Sequence, residues 1–138
     1  MTAAGPTRAL ITGAAAGIGL AVARHLARAG ATLVLADKDA RGLEAAREAL
    51  GGQHIAIAAD LTAAAEIARV AEAAGAIDGL VNCAGIYPVT PLLELDAAEW
   101  DRVLGINLRT PFLLTQAVAR RAIAEKRGCS IVNISSTA

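Results

Sequence analysis

Short apolar segments alternate with longer segments of helical periodicity along this chain, and this alternation constrains its fold more than any other feature. The apolar segments 8–12, 32–36, 54–58, 80–82 and 130–134 are predicted strands. Their apolar positions are nearly continuous, as in strands that helices cover on both faces of a sheet. The sequence therefore predicts an α/β fold with a parallel sheet.

The segments between the strands have the apolar spacing of helices that pack on one side of a sheet. The predicted helices span 17–29, 39–50, 62–74, 96–104 and 107–126. In the first of them, Ile18, Val22 and Leu26 share the face expected to be buried. Four residues mark predicted helix ends, namely Asp39, Thr62 and Asp96 as N-caps and Gly128 as the stop of the last helix.

Right-handed crossovers between parallel strands convert this succession into a doubly wound sheet of strand order 3-2-1-4-5. The first two helices then cover one face of the sheet and the remaining helices cover the other. The order reverses between strands 1 and 4, and ligands of such sheets bind at that point, beyond the carboxyl ends of the strands. We therefore expect the functional site there.

Size and composition limit the other possibilities. The 138 residues fit one domain, and a hydrophobic content of 55% excludes a disordered chain. Thirteen basic and thirteen acidic residues cancel, so charge gives no reason to expect nucleic acid or a membrane surface as a partner. We expect a soluble, cytoplasmic protein. The two cysteines, Cys83 and Cys129, are predicted to be buried structural thiols, and we expect no metal site.

A glycine-rich turn follows the first predicted strand and opens the first helix. Its spacing, from Thr12 to Gly19, is T-G-x3-G-x-G, which differs from both the G-x-G-x-x-G fingerprint and the P-loop. Residues without a Cβ let backbone approach a pyrophosphate, and a helix start offers free N–H groups. The predicted contacts of the pyrophosphate turn are Gly13, Ala16, Gly17, Ile18 and Gly19.

Asp37 closes the second predicted strand, twenty residues after Gly17. A carboxylate there can accept hydrogen bonds from the hydroxyls of an adenosine ribose and would repel a 2′-phosphate, which favours NAD over NADP. Lys38 could partly neutralise that repulsion. The alternative is that Asp37 only caps the next helix, a role for which Asp39 is better placed.

Four later segments, together with the glycine turn, resemble the classical short-chain dehydrogenase/reductase family. Asp60-Leu61 is similar to that family's adenine contact, and Asn82-Cys83-Ala84-Gly85 is similar to its N-N-A-G motif. Asn107 matches the active-site asparagine, and 131–136 resembles the motif that ends in the catalytic serine, Ser136. The resemblance implies a Rossmann-type NAD(P)-binding domain over residues 1–138. It also implies a dehydrogenase that passes hydride between nicotinamide and a small alcohol or carbonyl substrate, and a homo-oligomer in the full-length form.

The sequence departs from this family at the general acid/base. The family's tyrosine and lysine, four residues apart, would follow Ser136, whereas the only tyrosine is Tyr87 and the lysines are Lys38 and Lys126. The domain is therefore expected to be incomplete at its C-terminal end and the 138-residue chain to be inactive alone. Two alternatives stay open: a non-catalytic dinucleotide-binding or scaffold protein, and, less favoured, a methyltransferase.

The last predicted strand has no following helix or strand in this sequence. We therefore expect Ile131, Val132 and Ile134 to be less protected than the strands of a parallel sheet usually are.

Overall fold

A five-stranded parallel sheet forms the centre of the computed structural model, which describes residues 5–136. Its strands are β1 (Arg8–Thr12), β2 (Thr32–Asp37), β3 (Ile55–Ala58), β4 (Gly79–Asn82) and β5 (Ser130–Asn133). They are hydrogen-bonded in the order β3-β2-β1-β4-β5, and every neighbouring pair is parallel. The doubly wound architecture and the strand order predicted from the sequence are confirmed.

The helices lie on both faces of the sheet. They are α1 (Gly17–Arg28), α2 (Ala40–Leu50), α3 (Ala64–Ala74), α4 (Ala97–Leu104) and α5 (Thr110–Ala124), with a π-helical turn (Gly105–Arg109) joining the last two. Alternate residues of β1 divide the core: Ala9 and Ile11 pack with α1 and α2, whereas Leu10 packs with α3 and α5. The predicted division of these four helices between the two faces is therefore correct.

The predicted N-caps of the helices had different outcomes. The Asp39 carboxylate accepts a hydrogen bond of 2.9 Å from the Gly42 N–H, and that of Asp96 accepts one of 2.7 Å from the Glu99 N–H, as capping requires. The prediction for Thr62 was wrong, because α3 begins two residues later and Ala63 occupies its N-cap. Thr62 instead donates both its N–H and its hydroxyl to the carboxylate of Asp60.

The helix before β5 also differs from the prediction. Instead of a new helix beginning at Asn107, the chain continues from α4 through the π-helical turn into α5, so Asn107 lies inside a continuous helical segment. The prediction that Gly128 ends this helix was wrong too. Helix α5 ends at Ala124, and Lys126 adopts the left-handed φ of 53° that follows many helix C-termini.

The sequence predicted the burial or exposure of three sets of side chains: the apolar face of α1, the apolar residues of β5 and the two cysteines. Val22 and Leu26 pack against the core, but Ile18 is 60% exposed, so its predicted burial was wrong. In β5, Ile131 is partly buried, while Val132 and, just after the strand, Ile134 are exposed, as expected for both. Cys83 and Cys129 are only half-buried free thiols, and burial raises the pKa of both.

Candidate functional site

A cleft lies at the carboxyl edge of the sheet, where the strand order reverses between β1 and β4. Six of the predicted site residues line it together: Gly13, Asp37, Asp60, Leu61, Ala84 and Gly85. The remaining wall comes from residues that the sequence analysis did not assign to the site, including Thr62, Ile86, Arg102 and Ile106. The cleft therefore brings together segments that are up to 93 residues apart in the chain, from Gly13 to Ile106.

The glycine turn forms one side of the cleft and packs tightly against the turn that follows β4. Gly13 has a φ of +67°, and a Cβ there would come within 3.0 Å of the backbone of Ala84. Gly19 is buried, and a side chain at that position would collide with the carbonyl group of Gly13. Gly13 is therefore required for the close approach of the two turns, and Gly19 for the close packing of α1 against the glycine turn itself.

The start of α1 is open to solvent beside this turn. Ala16, Gly17 and Ile18 are exposed, and the N-cap residue Ala16 makes no side-chain hydrogen bond to the first turn. The N–H groups of a first helical turn have no partner within the helix, and the helix dipole adds a partial positive charge there. These features suit the diphosphate of a dinucleotide.

The glycine turn and the turn after β4 are joined by Thr12, which was not among the predicted site residues. Its side-chain oxygen accepts hydrogen bonds of 3.0 Å from both the Cys83 and the Ala84 N–H groups, and the residue is buried. Thr12 is the first residue of the T-G-x3-G-x-G motif, but the motif does not indicate hydrogen bonds to residues 71 and 72 positions later in the chain.

Asn82 lies beneath the cleft rather than on its surface. It is buried, and its Nδ2 donates to Asn133 Oδ1 at 2.8 Å, which ties the end of β4 to the end of β5. Asn82 therefore does not line the cleft, and its contact with a cofactor stays a prediction. Ser135 and Ser136 follow β5, and both are exposed.

Two carboxylates line the adenosine side of the predicted cofactor site. Asp37 accepts hydrogen bonds of 3.0 Å from the Ala15 and Asp39 N–H groups. Asp60 accepts from Thr62, and those hydrogen bonds, with a smaller contribution from the nearby Lys38 ammonium, hold the pKa of Asp60 below its ordinary value. Asp60 therefore stays a hydrogen-bond acceptor under mildly acidic conditions.

Asn107 is engaged with the loop after β4. Its Oδ1 accepts from the Ile86 N–H at 2.9 Å and its Nδ2 donates to the Ile86 carbonyl at 2.8 Å, as a neighbouring β-strand would. Ile86 lines the cleft, so the side chain of Asn107 acts on the cleft through Ile86. The π-helical turn that carries Asn107 is also anchored, because the hydroxyl of the buried Thr110 lies 2.5 Å from the Leu61 carbonyl oxygen.

Two further features bear on the class of site. Within residues 5–136, no group of three or more His, Cys, Asp or Glu side chains is arranged to hold a metal ion. No helix in the same part of the chain has the length and apolar character needed to span a bilayer.

Comparisons with known proteins give a consistent result. The family model of the short chain dehydrogenases matches residues 7–138. D-threitol dehydrogenase from Mycolicibacterium smegmatis is 43% identical over 137 residues, which cover 94% of this chain and 52% of that protein. The chain thus spans about half the length of this curated relative.

Two solved structures share the fold closely. A metagenomic short-chain oxidoreductase in complex with NADP has a TM-score of 0.87 and 41% identity, covering 96% of this chain and 63% of that one. The 3-ketoacyl-(acyl-carrier-protein) reductase from Brucella melitensis, complexed with NADH, has a TM-score of 0.87 and 34% identity, covering 95% of this chain and 57% of that one. The sheet order, the glycine turn and these similarities together show that the chain belongs to the short-chain dehydrogenase/reductase family.

Proposed function

We propose that this chain provides the cofactor-binding part of an oxidoreductase that transfers hydride between a nicotinamide dinucleotide and a small alcohol or carbonyl substrate. The observation that carries the proposal is that Gly13 of the glycine turn, Asp37, Asp60 and the Ala84-Gly85 turn all line one cleft at the strand-order reversal. The diphosphate would bind at the start of α1, the adenosine ribose at Asp37, and the adenine beside Asp60 and Leu61.

We propose NAD as the preferred cofactor, with NADP as the less favoured one. The support is Asp37, whose negative charge would repel a 2′-phosphate, while Lys38, which also lines the cleft, would reduce that repulsion. Related structures contain NADP in one case and NADH in another, so family membership does not choose between them.

Replacement of Asp37 by alanine tests the preference. In Asp37→Ala, we expect the ratio of the NADP Kd to the NAD Kd to fall by about tenfold, which corresponds to roughly 1.4 kcal/mol of removed repulsion. The measurement is a fluorescence or calorimetric titration with each nucleotide. An unchanged ratio would refute the ribose role, and no binding of either nucleotide by the wild-type protein would refute the cofactor site.

For catalysis we propose that Ser136 holds the substrate oxygen and that Asn107 supports the site from the helix. No tyrosine followed four residues later by lysine occurs in this sequence, so we propose that the 138-residue chain alone lacks proton transfer and is inactive. Turnover with NAD and a panel of secondary alcohols, by a species of confirmed 13.9 kDa mass, would contradict this. The non-catalytic dinucleotide-binding alternative predicts nucleotide binding without turnover in any longer form of the protein. A cytoplasmic location stays a prediction from the sequence.

We also propose that the protein forms a homo-oligomer through the continuous helical segment 97–124, which consists of α4, the π-helical turn and α5. Trp100, Leu104, Leu108 and Phe112 follow one another at intervals of four residues and are between 39% and 66% exposed. This stripe is symmetric about Ile106, so a second copy related by a two-fold axis would place Trp100 opposite Phe112 and Leu104 opposite Leu108. Exposed apolar stripes of this kind mark interaction surfaces.

A further inference from the structure

The carboxylate of Asp37 is hydrogen-bonded at both oxygens within the protein itself. Oδ2 accepts a hydrogen bond of 3.0 Å from the Ala15 N–H, and Oδ1 accepts one of 3.0 Å from the Asp39 N–H. The preceding residue, Ala36, accepts a hydrogen bond of 3.3 Å at its carbonyl oxygen from the Ala14 N–H. Two consecutive amides of the glycine turn are therefore held by two consecutive residues at the end of β2.

These contacts connect the turn to the start of α2. Asp39, whose N–H binds Asp37, caps α2 by accepting a hydrogen bond of 2.9 Å from the Gly42 N–H. Ala15 is half-buried and packs against the same core that contains Leu43 of α2. The hydrogen bond from the Ala15 N–H to the Asp37 carboxylate is partly buried. Hydrogen bonds to charged groups are among the stronger ones.

We propose that Asp37 is a positioning residue, whose carboxylate holds the glycine turn in its binding conformation before any nucleotide arrives. Two residues of this turn, Gly13 and Gly17, have left-handed φ values of +67° and +55°. A glycine-rich segment loses much conformational freedom when it is ordered, and a ligand that must order its own site binds more weakly. Asp37 thus acts on nucleotide affinity through Ala15, separately from any contact with the ribose.

Hydrogen exchange of the nucleotide-free protein tests the positioning role directly. In Asp37→Ala, the exchange rate of the Ala15 amide should rise about tenfold to a hundredfold, the effect expected from loss of a hydrogen bond to a charged group. Asp39→Ala is the matched control, because it removes a neighbouring carboxylate and leaves Asp37 and the Asp39 N–H in place. That control should expose the Gly42 amide and leave the Ala15 amide protected.

Asp37→Asn is the second variant, and it serves also where the alanine variant does not fold. Its amide oxygen can still accept from Ala15, but a neutral acceptor is weaker, so the exchange rate of Ala15 should rise about threefold or more. An Ala15 exchange rate unchanged from the wild type in both variants would overturn the positioning role.

The effect on affinity rests on the proposed function, and 2′,3′-dideoxyadenosine diphosphate tests it, because this probe has no ribose hydroxyl to contact Asp37. Asp37→Ala and Asp37→Asn are both neutral at this position, so their comparison cancels the electrostatic effect on the diphosphate. We expect the probe to bind Asp37→Asn about three- to tenfold more tightly than Asp37→Ala.

The outcomes separate the two proposals. Equal affinity of the probe for both variants would overturn the effect of Asp37 on affinity through Ala15. If the wild-type protein binds neither NAD nor the probe, the proposed function is wrong, and the exchange measurement still decides whether Asp37 positions the turn.

Discussion

Thr12 joins the glycine turn and the turn after β4, which both line the cleft. Its buried side-chain oxygen accepts hydrogen bonds from two successive backbone amides, those of Cys83 and Ala84. An isosteric Thr12→Val substitution keeps the shape and leaves both amides without their acceptor. We expect a loss of about 2–3 kcal/mol in the free energy of unfolding, measured by urea denaturation.

Thr12→Ser is the matched control for this prediction, because it keeps the hydroxyl and removes only a methyl group. It should lose about 1 kcal/mol, the typical cost of one buried methyl group. Equal stability of the valine variant and the wild-type protein would show that the two amides find other acceptors.

His54 makes the stability of the fold depend on pH. Its Nδ1 accepts a hydrogen bond of 3.1 Å from the Leu33 N–H, which only an unprotonated Nδ1 can do. Burial, with a smaller contribution from the Arg47 charge, lowers the pKa of His54 below 6.5 in the folded protein. Between the unfolded and folded pKa values the unfolded chain binds more protons, so stability falls as the pH falls below about 6.5.

We expect His54→Asn to remove this part of the pH dependence, because the asparagine Oδ1 can accept the same hydrogen bond and does not titrate. The measurement is the free energy of unfolding between pH 8 and pH 5.5. His25→Asn, at an exposed position of α1, is the control and should keep the wild-type slope. An identical slope in the His54 variant would assign the pH dependence to other groups.

At the scale of the elements, the π-helical turn holds the loop after β4 in place through hydrogen bonds. It carries Asn107, whose side-chain amide pairs with both backbone groups of Ile86. In Asn107→Ala we expect faster hydrogen exchange at Ile86 by about tenfold, a loss of about 1–2 kcal/mol in stability, and weaker nucleotide binding. Asn107→Asp keeps the acceptor for the Ile86 N–H and should keep part of the protection at that amide.

The strands and the sheet order were predictable because their physical signal is local and strong. Continuous apolar runs identify buried parallel strands, and crossover handedness then fixes the topology. The helix boundaries were less predictable where side chains compete for backbone groups. The N–H and hydroxyl of Thr62 donate to Asp60, which holds Thr62 in the turn after β3, and α3 begins only after Ala63.

The candidate site, like the fold, has some parts that could be predicted from the sequence and others that could not. Glycine spacing and the acidic residue after β2 are visible in the sequence, and the structure brings Gly13 and Asp37 to one cleft. The contacts of Thr12 with the β4 turn and of Thr110 with Leu61 join residues 71, 72 and 49 positions apart, and a common residue type gives no sign of such pairing. The π-helical turn could not be predicted from the sequence either, because its residues are also compatible with a regular α-helix.

At the scale of the whole molecule, the apolar stripe on the helical segment 97–124 is the feature that predicts assembly. A Leu108→Glu substitution places a charge at the centre of the proposed interface, where its partner would be Leu104 of the second copy. We expect dissociation to monomers, with Kd raised at least tenfold, measured by sedimentation or light scattering.

Val89→Glu is the control for assembly, because it changes an equally apolar and more exposed residue that lies outside the stripe. It should leave the oligomeric state unchanged. A wild-type protein that is monomeric at high concentration would contradict the proposed homo-oligomer, and an oligomer that survives Leu108→Glu would assign assembly to another surface.

The π-helical turn Gly105–Arg109 contains one residue more than a regular helix needs to cover the same length. Deletion of one residue there would leave a regular helix of the same length, in which α4 and α5 keep their faces but the residues of the turn itself point in new directions. Asn107 would turn away from Ile86 while the helix itself became more regular. The gain in helix regularity would offset part of the stability lost with the Asn107–Ile86 hydrogen bonds, whereas the expected loss of nucleotide binding would have no such compensation. Sequence alignments of relatives should accordingly treat a gap at this place as a change of function rather than as ordinary length variation in a helix.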